Sequence, residues 1–176
     1  MLAKGMGMSR IIFAIPLVFG ALACSTTTIE PGHRALVFAP DRGGLQREVL
    51  MPGVYHLHTG DRVEDFDVTY ARRELPVRAT TRDGAPLEAD ITVVFRPIMS
   101  ELYQLETEEG PGYYERVIVP ELLGATREVL EHTSKDDDLA KTSKLDASLE
   151  AAARRATVGK HVEIAQVVVE KIEMAP

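Results

Sequence analysis

Ten consecutive residues constrain this chain more than any others. Leu87, Ala89, Ile91, Val93 and Phe95 fall on one side of a period-two pattern, with Glu88, Asp90, Thr92, Val94 and Arg96 on the other. Only an extended strand sends alternate side chains to opposite faces, so residues 87–96 predict a half-buried β-strand. Such a strand cannot stand alone, because its backbone groups and its apolar face both need partners. The preceding sequence supplies candidates. Residues 33–38 follow a Pro31-Gly32 turn, and Asp41-Arg42-Gly43-Gly44 reads as a hairpin in which glycine takes positive φ. Pro52-Gly53 opens an extended run over 54–58, and residues 63–70 place Phe66, Val68 and Tyr70 on one face. Pro76-Val77 leads to the turn Arg82-Asp83-Gly84-Ala85-Pro86.

The period changes after Pro97. Ile118, Leu122, Ala125 and Val129 share one face of a helix, and Pro120 marks its start or a kink. Leu145, Leu149, Ala152 and Ala156 repeat the spacing, with Ser143 and Asp146 as an N-terminal cap and Gly159 as the stop. A β-branched run over 164–172 closes the chain as a last strand. Strands, then helices, then a returning strand predict an α+β fold: an antiparallel-rich sheet packed with two to three helices.

At 176 residues, 45% hydrophobic and 27% charged, the chain has the balance of a folded domain. Its net charge of −7 and aromatic fraction of 6% argue against nucleic acid as a partner, since neither a cationic footprint nor a stacking platform is present. A single cysteine, Cys24, excludes an intrachain disulfide framework and a Cys-rich zinc site.

The position of that cysteine is informative. Lys4 and Arg10 precede an apolar run over 11–23, too short for the roughly 20 residues that cross a hydrocarbon core. A positive start, a short apolar stretch and small residues before a cut are the parts of an export signal. Gly20-Ala21-Leu22-Ala23-Cys24 resembles the bacterial lipoprotein box, in which the cysteine thiol takes up diacylglycerol before cleavage. The expected division is therefore a lipoprotein signal peptide over 1–23, a short lipid tether over 24–28 and the folded domain over 29–176. Cleavage at Cys24 removes two of the 20 basic residues and none of the 27 acidic ones, so the mature chain carries −9. Anionic lipid does not attract such a surface, and attachment falls to the acyl chains. Ser25 in place of an aspartate leans towards the outer membrane of a Gram-negative cell, facing the periplasm. The tether reaches about 14 Å at full extension, which keeps the domain and its partners close to the membrane.

Catalytic patterns are scarce. The sequence contains no G-x-S-x-G, no H-E-x-x-H and no P-loop. His56 and His58 form an i, i+2 pair, but two imidazoles without a third ligand do not make a metal site, and His33, His132 and His161 are scattered. Asp136-Asp137-Asp138 lacks the alternating oxygens of a calcium loop and suits a helix N-terminus better. Glu106-Thr107-Glu108-Glu109 reads as a solvated loop edge. No cofactor, metal, catalytic residue or small-molecule substrate is identified. A small periplasmic hydrolase would need a concave pocket with convergent polar groups.

Five segments in this order resemble the SPFH or band 7 domain of stomatins, prohibitins and flotillins. They are Pro31-Gly32-His33-Arg34-Ala35-Leu36-Val37-Phe38, Met51-Pro52-Gly53-Val54-Tyr55, Phe66-Asp67-Val68, the hairpin from Thr80 to Pro97, and Tyr113-Tyr114-Glu115-Arg116-Val117-Ile118-Val119-Pro120. The last is similar to the Tyr-x-Glu-Arg-Val and Pro that open a prohibitin helix. The resemblance implies a non-enzymatic membrane-surface scaffold or protein-binding module. Its expected partners are membrane lipid through acylated Cys24 and membrane-proximal proteins, with self-association through sheet edges. Modulation of a membrane protease or other envelope enzyme is the alternative. Relatives usually carry an N-terminal membrane segment and a long coiled-coil helix. A lipid would replace the first here, and the sequence ends where the second would begin.

Overall fold

A computed structural model describes residues 25–134 and 142–174. Residues 1–23, expected as a signal peptide, together with Cys24 and Asp136-Asp137-Asp138, lie outside the described residues. The strands are β1 (Ser25–Ile29), β2 (His33–Ala39), β3 (Gly44–Leu45), β4 (Gly53–Leu57), β5 (Arg62–Asp67), β6 (Ala71–Thr80), β7 (Pro86–Pro97) and β8 (Val162–Met174). Helices α1 (Leu102–Gln104), α2 (Val119–Glu131) and α3 (Thr142–Ala156) fall between β7 and β8. The described strands form three antiparallel sheets, ordered β1-β4, β3-β2-β5 and β6-β7-β8. The α+β expectation holds.

The alternation over 87–96 becomes the central strand β7. Leu87, Ala89, Ile91, Val93 and Phe95 are all buried and meet Ile118 and Leu122 of the α2 region and Leu149 and Ala153 of α3. Both helices therefore cover one face of the main sheet. The other face carries ion pairs, Arg78–Glu88 and Arg72–Glu170. Thr92 departs from the simple pattern. It lies on this second face yet is buried, with Arg72 donating towards its hydroxyl at 3.4 Å.

A second, smaller core gathers Leu36, Phe66, Val68, Leu102 and Leu105. Tyr113 packs against both cores, and Tyr114 stacks on Phe95 with ring centroids 4.9 Å apart. The most specific stretch of the sequence thus serves packing. A π-helical turn, Tyr114–Ile118, runs without a break into α2, and Pro120 sits just after that junction.

Several expectations change. The strand before Tyr70 stops at Asp67, whose carboxylate accepts from the backbone N–H (2.9 Å) and hydroxyl (2.7 Å) of Thr69 and turns the chain. Tyr70 is consequently exposed rather than buried beside Phe66 and Val68. Residues 71–80, which lead into the turn at Arg82 and hold Arg72, Arg73, Glu74, Pro76 and Arg78, form β6. Proline is tolerated there because the strand lies at a sheet edge. Glu106 to Glu109 belong to a π-helical turn, Leu105–Glu109, anchored by fully buried Leu105, so they are helical rather than loop, although Thr107 and Glu108 do face solvent. The expected cap residues Ser143 and Asp146 both fall inside α3, which begins at Thr142, and Asp146 turns to the sheet. It accepts the Val169 backbone N–H at 2.9 Å.

Candidate interaction surfaces

The residues after Cys24 are already part of the fold. Residues 25–28, expected as tether, lie in β1, which pairs with β4 from Ser25↔Leu57 to Ile29↔Gly53. Three successive threonines favour extended backbone, and Ile29 is buried to 3% exposure, which pins the strand. The slack between position 24 and the domain is therefore shorter than an open tether would allow. Val54 on β4 is 64% exposed, and Met51, just before that strand, is 55% exposed. His56 contacts the Thr26 hydroxyl at 3.3 Å, and His58 lies 3.6 Å from Asp61. Among the described residues no group of three or more His, Cys, Asp or Glu is arranged to hold a metal ion.

Sheet edges are free donors and acceptors that invite another strand, and both edges of the β6-β7-β8 sheet are obstructed by other parts of the fold. Arg127 of α2 donates to the Arg78 carbonyl on β6 at 3.3 Å, and Pro76 removes a donor from the same edge. Strand β8 carries two register breaks that leave Ala165 and Glu170 unpaired with β7. Helix α3 reaches both. Arg154 donates to the Ala165 carbonyl at 3.1 Å, and Asp146 accepts from Val169 beside Glu170. Strand β5 is flanked by charge, with His33 2.6 Å from Asp65. The β1–β4 ribbon differs, for neither strand contains a charged residue.

Two side-chain clusters gather charge, one just beyond the end of β4 and one at the start of β8. Asp61 has a side chain 1% exposed and accepts from Arg42 at 2.5 Å and from the His58 backbone N–H at 3.1 Å. Burial opposes its charge, but these two bonds and the guanidinium outweigh it and hold the carboxyl below its ordinary range. The second cluster centres on His161. Its ring is 11% exposed, with Nδ1 2.9 Å from Glu101 and Nε2 3.2 Å from Glu108. Burial pulls its pKa down, while hydrogen bonds and charge from the two carboxylates push harder, and the net displacement is upward. Lys160 meets Glu109 next door at 3.1 Å. A cleft of about 400 Å³ opens beside it, lined in part by Ile98, Glu101, Arg154, His161 and Glu163. Glu163 accepts from Arg96 (2.9 Å) and from the Tyr70 hydroxyl (3.0 Å), and Arg96 stacks over the Tyr70 ring.

Sequence reasoning left His161 among the scattered histidines. Its acidic partners lie 53 and 60 positions away, so no local spacing could have signalled them.

Residues 27–176 match the family model described as SPFH domain / Band 7 family. Prohibitin 1 of Drosophila melanogaster is 29% identical over 116 residues, covering 63% of this chain and 41% of that protein. Prohibitin 1 of Mus musculus is 28% identical over 106 residues, covering 60% and 39%. The chain thus aligns with about two fifths of the length of these curated relatives.

Proposed function

This chain belongs to the SPFH domain / Band 7 family, and from that premise we propose that it acts without catalysis as a lipid-anchored scaffold or protein-binding module at a bacterial envelope membrane. Acylated Cys24 is the anchor, and the outer membrane's periplasmic face is the favoured location in a Gram-negative cell. The observation that carries the reading is the junction at Cys24. The chain's single cysteine follows a short apolar run and immediately precedes β1, a strand registered against β4. A lipid at that position would hold the uncharged β1–β4 ribbon against the membrane, where exposed Val54 and Met51 meet neighbouring proteins. Among the described residues no helix is long and apolar enough to cross a membrane, so on this proposal attachment rests on the acyl chains.

Mass spectrometry of the mature N-terminus tests the anchor. Diacylglycerol on Cys24 with loss of residues 1–23 is expected, and Cys24→Ala should leave an unprocessed chain without the lipid. An intact Met1 or an unmodified Cys24 in the native protein refutes it. Crosslinking in membranes then tests the scaffold role. Self-crosslinks and several neighbours support it, whereas one stoichiometric envelope enzyme as sole partner replaces it with modulation of that enzyme.

A further inference from the structure

We propose that His161 is a proton-operated latch between the two cores of the domain. Two features of its placement single it out. It is the one non-glycine residue with positive φ among the described residues, at +59°, a conformation an imidazole-bearing residue adopts at some cost. It also joins elements of different cores. Val162 and Ile164, just after it on β8, belong to the main core, whereas Leu102 and Leu105 beside Glu101 and Glu108 belong to the smaller one. Tyr113 is the side chain that packs against both. The His161 backbone completes the joint by accepting the Ile98 N–H at 2.9 Å.

The chemistry of the contact sets its pH response. A carboxylate only accepts hydrogen bonds, so a ring facing one carboxylate from each nitrogen must donate from both. Only the imidazolium does so. Loss of one proton turns a nitrogen lone pair towards a glutamate and breaks one of the two contacts. Glu108 yields first, being 60% exposed and the more distant at 3.2 Å. Glu108 lies in the π-helical turn Leu105–Glu109, so its release loosens the turn that seats Leu105 in the smaller core. The charged groups around the ring are Glu101 from the turn after β7, Glu108 and Lys160-paired Glu109 from the π-helical turn, Arg154 from α3 and Glu163 from β8. The folded ring holds its proton more tightly than an unfolded one, whose pKa is 6.5. The latch is therefore fully closed below pH 6.5 and opens as pH rises through the folded value.

Amide hydrogen exchange of the full chain, followed from about pH 5.5 to about pH 8.5 and corrected for intrinsic rates, tests the latch. Protection over residues 105–110 should fall about threefold or more with rising pH while amides of β7 hold steady. A tenfold fall corresponds to one pH unit between the folded and unfolded pKa of His161. The variant His161→Asn, which tolerates positive φ and carries no charge, should show low protection at 105–110 that no longer responds to pH. Pronounced pH dependence persisting in His161→Asn overturns the proposal, as does flat protection in the native chain. NMR titration of the native His161 ring needs no variant, and a pKa at or below 6.5 overturns it as well.

Discussion

Replacing Tyr114 by phenylalanine should stabilise this protein. The Tyr114 hydroxyl is buried with no hydrogen-bond partner among the described residues, even though the ring is well placed. The ring stacks on Phe95 with planes 5° apart, and the Arg73 guanidinium lies 5.7 Å from its centroid. Burial of the hydroxyl also raises its pKa, the mark of a group cut off from water. A hydroxyl taken from water without a new bond costs about 1–3 kcal/mol. Tyr114→Phe removes that cost and keeps both ring contacts, but it opens a space the size of one oxygen. The net expectation is a gain of about 1 kcal/mol, or about 2–4 °C in Tm for a chain of this length. Urea unfolding followed by circular dichroism measures it directly, provided the slope m is unchanged. Tyr114→Leu is the control, since it removes the hydroxyl and the stack together and should lose about 0.5–1.5 kcal/mol relative to Tyr114→Phe. A loss of about 0.5 kcal/mol or more in Tyr114→Phe would show that the hydroxyl is bonded after all and refute the reasoning.

Two further predictions concern charged groups that act on backbone or ring. Asp146→Ala should cost about 1–3 kcal/mol, because it strips the Val169 N–H of its acceptor beside a register break, while Asp146→Asn should retain most of the stability; a thermal unfolding change within about 0.5 kcal/mol for Asp146→Ala would place that N–H in water instead. Hydrogen bonds from Arg96 and Tyr70 hold the Glu163 carboxyl below its ordinary 4.5, so its support exists above that pH and disappears as pH falls through the folded value. Urea midpoints at pH 7 and in acid should accordingly differ less in Glu163→Gln than in the native chain, and equal differences would count against the assignment.

The parts of this fold that were legible in the sequence are those where one local rule acts alone. Strand β7 could be read because its face is buried at every second residue, and α2 and α3 because their apolar stripes meet one sheet. Strand β6 could not, for Arg72, Arg73, Glu74 and Pro76 suit an edge whose outward side chains stay in water, and composition alone does not separate such an edge from a loop. Tyr70 was misplaced because the period-two rule carries no information about where a strand ends. A side-chain bond from Thr69 to Asp67 ends it.

The sequence by itself determined the α+β order, the family, and the position of the one thiol directly after a short apolar run, since each of these rests on residues adjacent or regularly spaced along the chain. Tertiary structure decided what lies between distant positions. It bound the stretch after Cys24 into a ribbon with β4, closed the edges of the main sheet with side chains from α2 and α3, and brought Glu101 and Glu108 to opposite nitrogens of His161. The physical reason is the reach of the forces involved. Periodicity records whether a residue meets water or core, whereas a hydrogen bond forms only when folding has carried its two partners to within about 3 Å.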